Sequence, residues 1–239
     1  MLPLQQAYEV KYSIIEYLKA TFGFKEKAVQ KSFNDFIEKE VFKGPYISLK
    51  LPFVKAKEEE QIPLTIKPSY PPYDHQIKAF QRLNTENGNI PRSTLITTGT
   101  SSGKTECFMF PILDYCFKNI EKQGVKVIIL YPMNALATDQ AKRLAETIWQ
   151  DERLKGKVTA GLFIGEGKSK GKKFPKDMGE NHVIENQQSI VDSPPDILLT
   201  NFKMLDYALM RSKYHNLWVF NFQDPELLKY LISELHAWA

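Results

Sequence analysis

Cysteine is scarce in this chain, with two among 239 residues, Cys107 and Cys116. They stand nine residues apart in an apolar stretch that reads as helix, where free cysteine behaves as a small buried hydrophobe. A disulfide framework is therefore excluded, and a chain of this length buries a sizeable core without one. Long apolar runs are lacking too. None approaches the roughly 20 residues that span a bilayer, and the N-terminus has no charged-then-apolar layout of a secretory signal, so the expected location is the cytoplasm, with no membrane partner. Strong charge of one sign is also missing: 32 Lys and Arg against 28 Asp and Glu give +4, which is compatible with a polyanionic partner without demonstrating one. Hydrophobic residues at 43% and charged residues at 25% exclude a disordered or fibrous chain.

Residues 1–68 read as a helical N-terminal region and linker. Ile14, Ile15 and Leu18, then Val29, Phe33, Phe36, Ile37 and Val41, recur at helical spacing and predict two amphipathic helices. A break at Lys43-Gly44-Pro45, an extended stretch over 46–53 and a solvated charged linker over 55–61 follow. Residues 69–239 alternate. Asp74 is placed as the N-cap of a helix bearing Ile77, Phe80 and Leu83. Strands are expected at 94–98, 125–131, 158–164, 197–200 and 229–233. Helices are expected at 104–122, on the Ala137, Ala141, Leu144, Ile148 and Trp149 face, and at 202–211. This alternation predicts an α/β fold, a parallel sheet with helices on both faces. Pro111 should kink its helix. Residues 165–173 read as a mobile polar loop, and Lys168, Lys170, Lys172, Lys173 and Lys176 form a basic cluster that could steer a phosphate backbone, with a solvated loop as the preferred reading.

Chemistry concentrates in Thr98-Gly99-Thr100-Ser101-Ser102-Gly103-Lys104-Thr105, between an expected strand and an expected helix, where a phosphate-cradling loop belongs. Backbone N–H groups of the turn and the helix N-terminus face phosphate oxygens. Lys104 supplies positive charge to the β and γ phosphates, and the Thr105 hydroxyl is a Mg²⁺ ligand. The spacing departs from the strict pattern, because the glycine follows Thr98 rather than preceding it.

Several motifs appear in one order: Tyr73-Asp74-His75-Gln76, the loop 98–105, Tyr131-Pro132-Met133-Asn134-Ala135-Leu136-Ala137 with Asp139-Gln140, Pro195-Asp196-Ile197-Leu198-Leu199-Thr200-Asn201, and Ser233-Glu234-Leu235-His236. On these, residues 70–239 resemble superfamily 2 helicases of the DEAD/DEAH type, with a RecA-like first lobe. Within these, the chain more closely resembles bacterial helicases of the Lhr and YprA type, some of which belong to antiphage systems such as DISARM and Druantia. The resemblance implies ATP and Mg²⁺ as cofactors. Gln76 reads the adenine edge, and Tyr70 or Tyr73 stacks on the base. Pro132, Asn134, Ala135 and Gln140, with Thr200 and Asn201, track one strand of single- or double-stranded nucleic acid, DNA favoured. Singly, these junction residues are ordinary helix caps.

Two departures from the family pattern stand out. The last motif should open with Asp, which holds Mg²⁺ through water, and Ser233 stands there instead; a neutral hydroxyl supplies no charge to a metal. Glu234, also expected near the metal through water, and His236 remain as catalytic residues beside Lys104. Displacing a base or its water typically forfeits about 10² to 10⁴ in rate, so weak or absent hydrolysis is expected while binding survives. The chain also stops three residues after His236. By resemblance the second lobe is missing, and so is the strand that inserts beside the phosphate-loop strand, so the lobe is expected to be incomplete and marginally stable, with a second polypeptide a candidate to complete the motor. The leading reading is an ATP-dependent helicase or translocase lobe, truncated or impaired in hydrolysis. A non-hydrolytic nucleic-acid- or partner-binding protein is the alternative. A P-loop kinase or transport ATPase would need neither Gln76 nor the 132–140 junction.

Overall fold

The computed structural model describes residues 3–43, 52–57, 61–99, 101–165 and 174–234. Residues 46–51 of the expected extended stretch, Thr100, the loop residues 166–173 and His236 lie outside the described residues. The chain divides into two compact units, Met1–Pro52 and Phe53–Ala239.

The first unit contains the two expected helices, α1 (Pro3–Thr21) and α2 (Lys27–Phe36), the latter continuing as a π-helical turn through Ile37–Val41. Ile15 and Ile37 are buried, the Phe33 ring meets Phe22 and Phe24 edge-on, and Lys19 pairs with Glu38 at 2.7 Å.

The second unit carries α3 (Asp74–Leu83), α4 (Lys104–Lys118), β1 (Val127–Leu130), α5 (Asn134–Gln150), β2 (Ala160–Phe163), α6 (Gln187–Asp192), β3 (Ile197–Thr200), α7 (Phe202–Met210), α8 (Val219–Gln223) and β4 (Tyr230–Ser233). The four strands form one all-parallel sheet in the order β2-β3-β1-β4, with Leu130 opposite both Thr200 and Ser233. Strands this apolar are buried on both faces, and the period of two divides them cleanly. Val127, Ile129, Ile197, Leu199 and Leu162 pack with α3, α4 and α5, whereas Ile128, Leu198 and Phe163 pack with α6, α7 and the turn Ser212–Trp218. This is the expected α/β class.

Local capping differs from expectation at α3. The N-cap is Tyr73, and Asp74 is the first helical residue, paired with Lys78 at 2.7 Å. The Gln76 carboxamide oxygen accepts from the Tyr73 N–H at 2.9 Å, satisfying a donor that the helix start leaves open. In α4 the helix runs on through Pro111 without a break. Ahead of α3, buried Asp114 of α4 accepts from the N–H groups of Thr65 (2.6 Å) and Ile66 (2.9 Å) and pins that segment, so Leu64 and Ile66 join the core.

The expected strand at 94–98 does not form. Its residues keep a strand's alternation, with Thr94, Ile96 and Thr98 half-buried and Leu95 and Thr97 exposed, but among the described residues no ladder partner lies beside them. Among the described residues β4 pairs only with β1, and Leu231 on its outer part is 65% exposed. An apolar sheet edge of this kind templates self-association. We expect Leu231→Lys to shift the chain toward monomer; size-exclusion chromatography with light scattering, showing unchanged oligomer content, would contradict this. No helix among the described residues is long and apolar enough to cross a membrane.

Candidate nucleotide cleft and strand junction

The turn before α4 is shaped by two left-handed residues, Ser101 (φ 60°) and Gly103 (φ 74°). It is closed from within: Thr98 Oγ1 and Ser102 Oγ lie 2.5 Å apart, and Lys104 Nζ donates to the carbonyls of Thr98 and Gly99 at 3.0 Å each. The lysine is thus folded over the loop it is expected to serve. From α3, Gln76 Nε2 donates to the Gly103 carbonyl at 3.1 Å and His75 Nε2 lies 2.9 Å from the Ser102 carbonyl. The Tyr73 ring stacks on His75, at 5.7 Å and 11°, and Phe53 meets both edge-on. Two motifs far apart in sequence are therefore one hydrogen-bonded unit.

Between them opens a cleft of about 610 Å³, with Tyr70, Gln76, Lys104, Thr105, Glu106 and Arg143 among its lining. Burial, and then the charge of Glu106, pushes the Tyr70 hydroxyl up to about 12, so it stays neutral in the physiological range. Tyr73 is engaged by His75 and Phe53, whereas Tyr70 meets Phe110 edge-on at 6.5 Å and keeps 43% of its surface exposed. Lys55 also lines the cleft: residues 54–56 run antiparallel to 72–74, bonded Ala56 N to Pro72 O (3.1 Å) and Asp74 N to Val54 O (2.9 Å). The beginning of the expected solvated linker is therefore part of the site.

The residues present fit ATP: a positive loop at a helix N-terminus, a glutamine amide and a tyrosine share one cleft. For Mg²⁺ the protein offers the Thr105 hydroxyl, with Ser233 exposed and Glu234 half-buried at the carboxyl end of β4. Among the described residues no group of three or more His, Cys, Asp or Glu converges. Nucleotide oxygens and water would therefore supply most ligands, as Mg²⁺ tolerates. Tyr131, whose hydroxyl is raised by burial and by Glu234, is buried at the end of β1.

The second site candidate lies where β1 and β3 end side by side. Pro132, Asn134 and Ala135 are exposed there, and Asn201 Nδ2 donates to Asn134 Oδ1 at 2.8 Å, tying the two junctions together. Asn201 Oδ1 caps α7 by accepting from the Met204 N–H at 2.9 Å. Thr200 is fully buried, and its hydroxyl donates to the Phe163 carbonyl at 2.6 Å, so its part is positional. Gln140 is half-buried, lining a small gap with Thr105, Tyr131 and Arg143 rather than facing outward with Asn134.

Cys107 and Cys116 are buried, and burial holds both thiols well up, Cys107 at about 12. Both should resist alkylation at pH 8 in the folded chain, because the thiolate is the nucleophile. Mass spectrometry after iodoacetamide, showing rapid native labelling, would contradict the packing.

Comparison with known proteins adds three relatives and one solved structure. The DEAD/DEAH box helicase family matches residues 73–228. An uncharacterized ATP-dependent helicase of Methanocaldococcus jannaschii, MJ1574, is 25% identical over 84% of this chain and 26% of its own length. YprA of Bacillus subtilis, also named an uncharacterized ATP-dependent helicase, is 32% identical over 70% of this chain and 18% of its own. The Druantia protein DruE of Escherichia coli is 34% identical over 47% of this chain and 6% of its own. The crystal structure of the DUF1998 helicase MrfA bound to DNA and AMPPNP is 26% identical, covers 67% of this chain and 18% of that one, and gives a TM-score of 0.48. The chain thus spans about a quarter or less of the length of the curated relatives it matches.

Proposed function

Because this chain belongs to the DEAD/DEAH box helicase family and carries its ATP-dependent helicase lobe, we propose that it binds ATP and one strand of nucleic acid but hydrolyses ATP poorly. The observation that carries the reading is the bonding of Gln76 and His75 to the loop carbonyls, which joins base-reading and phosphate-binding elements in one cleft. Adenine lies against Gln76 and Tyr70, with the phosphates over Lys104 and the α4 N-terminus, once Lys104 leaves the carbonyls of Thr98 and Gly99. Bound Mg²⁺ would neutralise phosphate charge there. Thr105 would hold the cation, and Glu234 would orient the attacking water and take its proton. Ser233, exposed and neutral, leaves the cation with less support than an aspartate gives, so turnover is slow.

Pro132, Asn134, Ala135 and Asn201 form the strand-binding edge, with Gln140 behind it, and DNA is the first substrate to test. An antiphage role rests on likeness to the Druantia protein alone. The alternative, a non-hydrolytic binding protein, is favoured by Ser233, and the two readings divide on turnover. Phosphate release by wild type and Ser233→Asp, with and without single-stranded DNA or RNA, tests this. The expected result is a near-basal wild type and a DNA-stimulated rise of about 10-fold or more in Ser233→Asp. Brisk release by wild type would sink the impairment, and loss of strand binding in neither Asn134→Ala nor Asn201→Ala would sink the strand edge.

A further inference from the structure

Two cations in the cleft, Lys55 and Arg143, have no part in the phosphate loop or in the motifs around it, and Arg143 is the one held by a carboxylate of the cleft. Arg143 lies on α5, the helix that leaves the end of β1, and it lines the cleft together with Lys104 and Thr105. Its guanidinium Nη2 donates to Glu106 Oε1 across the gap between α5 and α4. Glu106 stands in the first turn of α4, and its second oxygen lies against the loop: a Cβ built on Gly103 would sit 3.1 Å from Glu106 Oε2. The carboxylate is thus mostly sheltered, at 13% side-chain exposure, while Arg143 keeps 45%. An arginine bonded through one nitrogen, 45% exposed and lining the cleft, keeps donors of its five-donor fork for a second anion.

A negative group beside a polyanion site works against that site unless a neighbouring cation outweighs it. Lys55, Lys104 and Arg143 against Glu106 leave the cleft positive, as a triphosphate requires. Lys104 is compact and serves one point on the phosphates, whereas a planar fork spans two oxygens. We propose that Arg143 is a phosphate-binding residue of this cleft and that Glu106 is the positioning residue that holds its guanidinium there. This rests on the nucleotide reading above and extends it to a cation contributed from within the same lobe. Because α5 begins at Asn134, which is bonded to Asn201, the same helix that carries this contact also begins at the strand junction.

The test is titration of the full chain with a fluorescent non-hydrolysable ATP analogue plus Mg²⁺, and separately with adenosine. Wild type, Arg143→Ala, Arg143→Lys, Glu106→Gln and the Glu106→Gln/Arg143→Ala double variant are compared. Arg143→Ala is expected to weaken the triphosphate analogue by about 10- to 30-fold and adenosine by less than about 2-fold, in the range of a lost charge-assisted contact. Arg143→Lys recovers part of the loss, and Glu106→Gln loses about 3-fold. If Arg143 only neutralises Glu106, the double variant binds the analogue as wild type does, and the proposal falls. An equal loss for adenosine and triphosphate makes the role structural and overturns it as well. Failure of wild type to bind the analogue at all would instead overturn the nucleotide reading itself.

Discussion

Gly103→Ala is expected to lower affinity for an ATP analogue by about 100-fold while leaving the melting temperature within a few degrees of wild type. Gly103 sits at φ 74°, where a side chain costs about 1–2 kcal/mol. A Cβ there would also collide with Gln76 Nε2. Moving Gln76 gives up its bonds to the Gly103 carbonyl and the Tyr73 N–H, each worth about 0.5–1.5 kcal/mol. Together these reach about 3 kcal/mol, or roughly two decades in binding. The free variant relaxes by letting the turn go, so most of the cost appears only when nucleotide requires the turn back. Isothermal titration beside a thermal melt separates the two, and unchanged affinity would mean that the Gln76 contact to the loop does not matter for binding.

Asp196→Ala should be the most destabilising single change in the sheet, at about 3–5 kcal/mol. Lys126 is completely buried, and its ammonium donates to Asp196 Oδ1 and to the Lys122 carbonyl, the latter at 2.6 Å. The other Asp196 oxygen accepts from the Thr159 N–H (2.7 Å) and hydroxyl (3.0 Å), so one carboxylate fastens the starts of β1, β2 and β3. Removing it strands a buried positive charge and an unpaired N–H. Such a loss is a large part of the 5–15 kcal/mol typical of a folded domain. Replacing both charges, Lys126→Met with Asp196→Leu, should cost clearly less, because no lone charge remains. Urea denaturation of wild type and the two variants reads this directly, and a loss below about 1 kcal/mol for Asp196→Ala would contradict the account.

The Lys126–Asp196 bond also marks the limit of what the sequence discloses. The run Pro195–Asn201 was recognisable as a strand and junction from its apolar core and its order among the motifs. Nothing in spacing could reveal that Asp196 would find a buried lysine 70 residues earlier. The strands 127–130 and 197–200 were legible because residues buried on both faces are apolar without interruption. The segment 94–98 has the composition of a strand but is not one, since composition records a preference for a pleated, half-buried site and not the presence of a neighbour to pair with.

In the cleft, the turn 98–105 and Gln76 could be read from motif order. His75, Lys55 and the Arg143–Glu106 pair could not. Their roles depend on which faces of α3, α4 and α5 meet, and on residues 54–56 pairing with 72–74. His75 lay within a motif already in view, so its neighbour Gln76 was a usable signal. Arg143 had no such neighbour. Thr200 shows the converse: its place in a motif suggested contact with a strand, but its hydroxyl is spent on Phe163 inside the sheet.

The account turns on an assembled phosphate loop that binds ATP, and the direct measurement is saturation binding of a fluorescent ATP analogue with Mg²⁺ to wild type and to Lys104→Ala. The account predicts saturable binding by wild type and a loss of about 100-fold or more in the variant, as expected when the cation facing the β and γ phosphates is removed. Equal binding by the two proteins, or none by wild type, would contradict it.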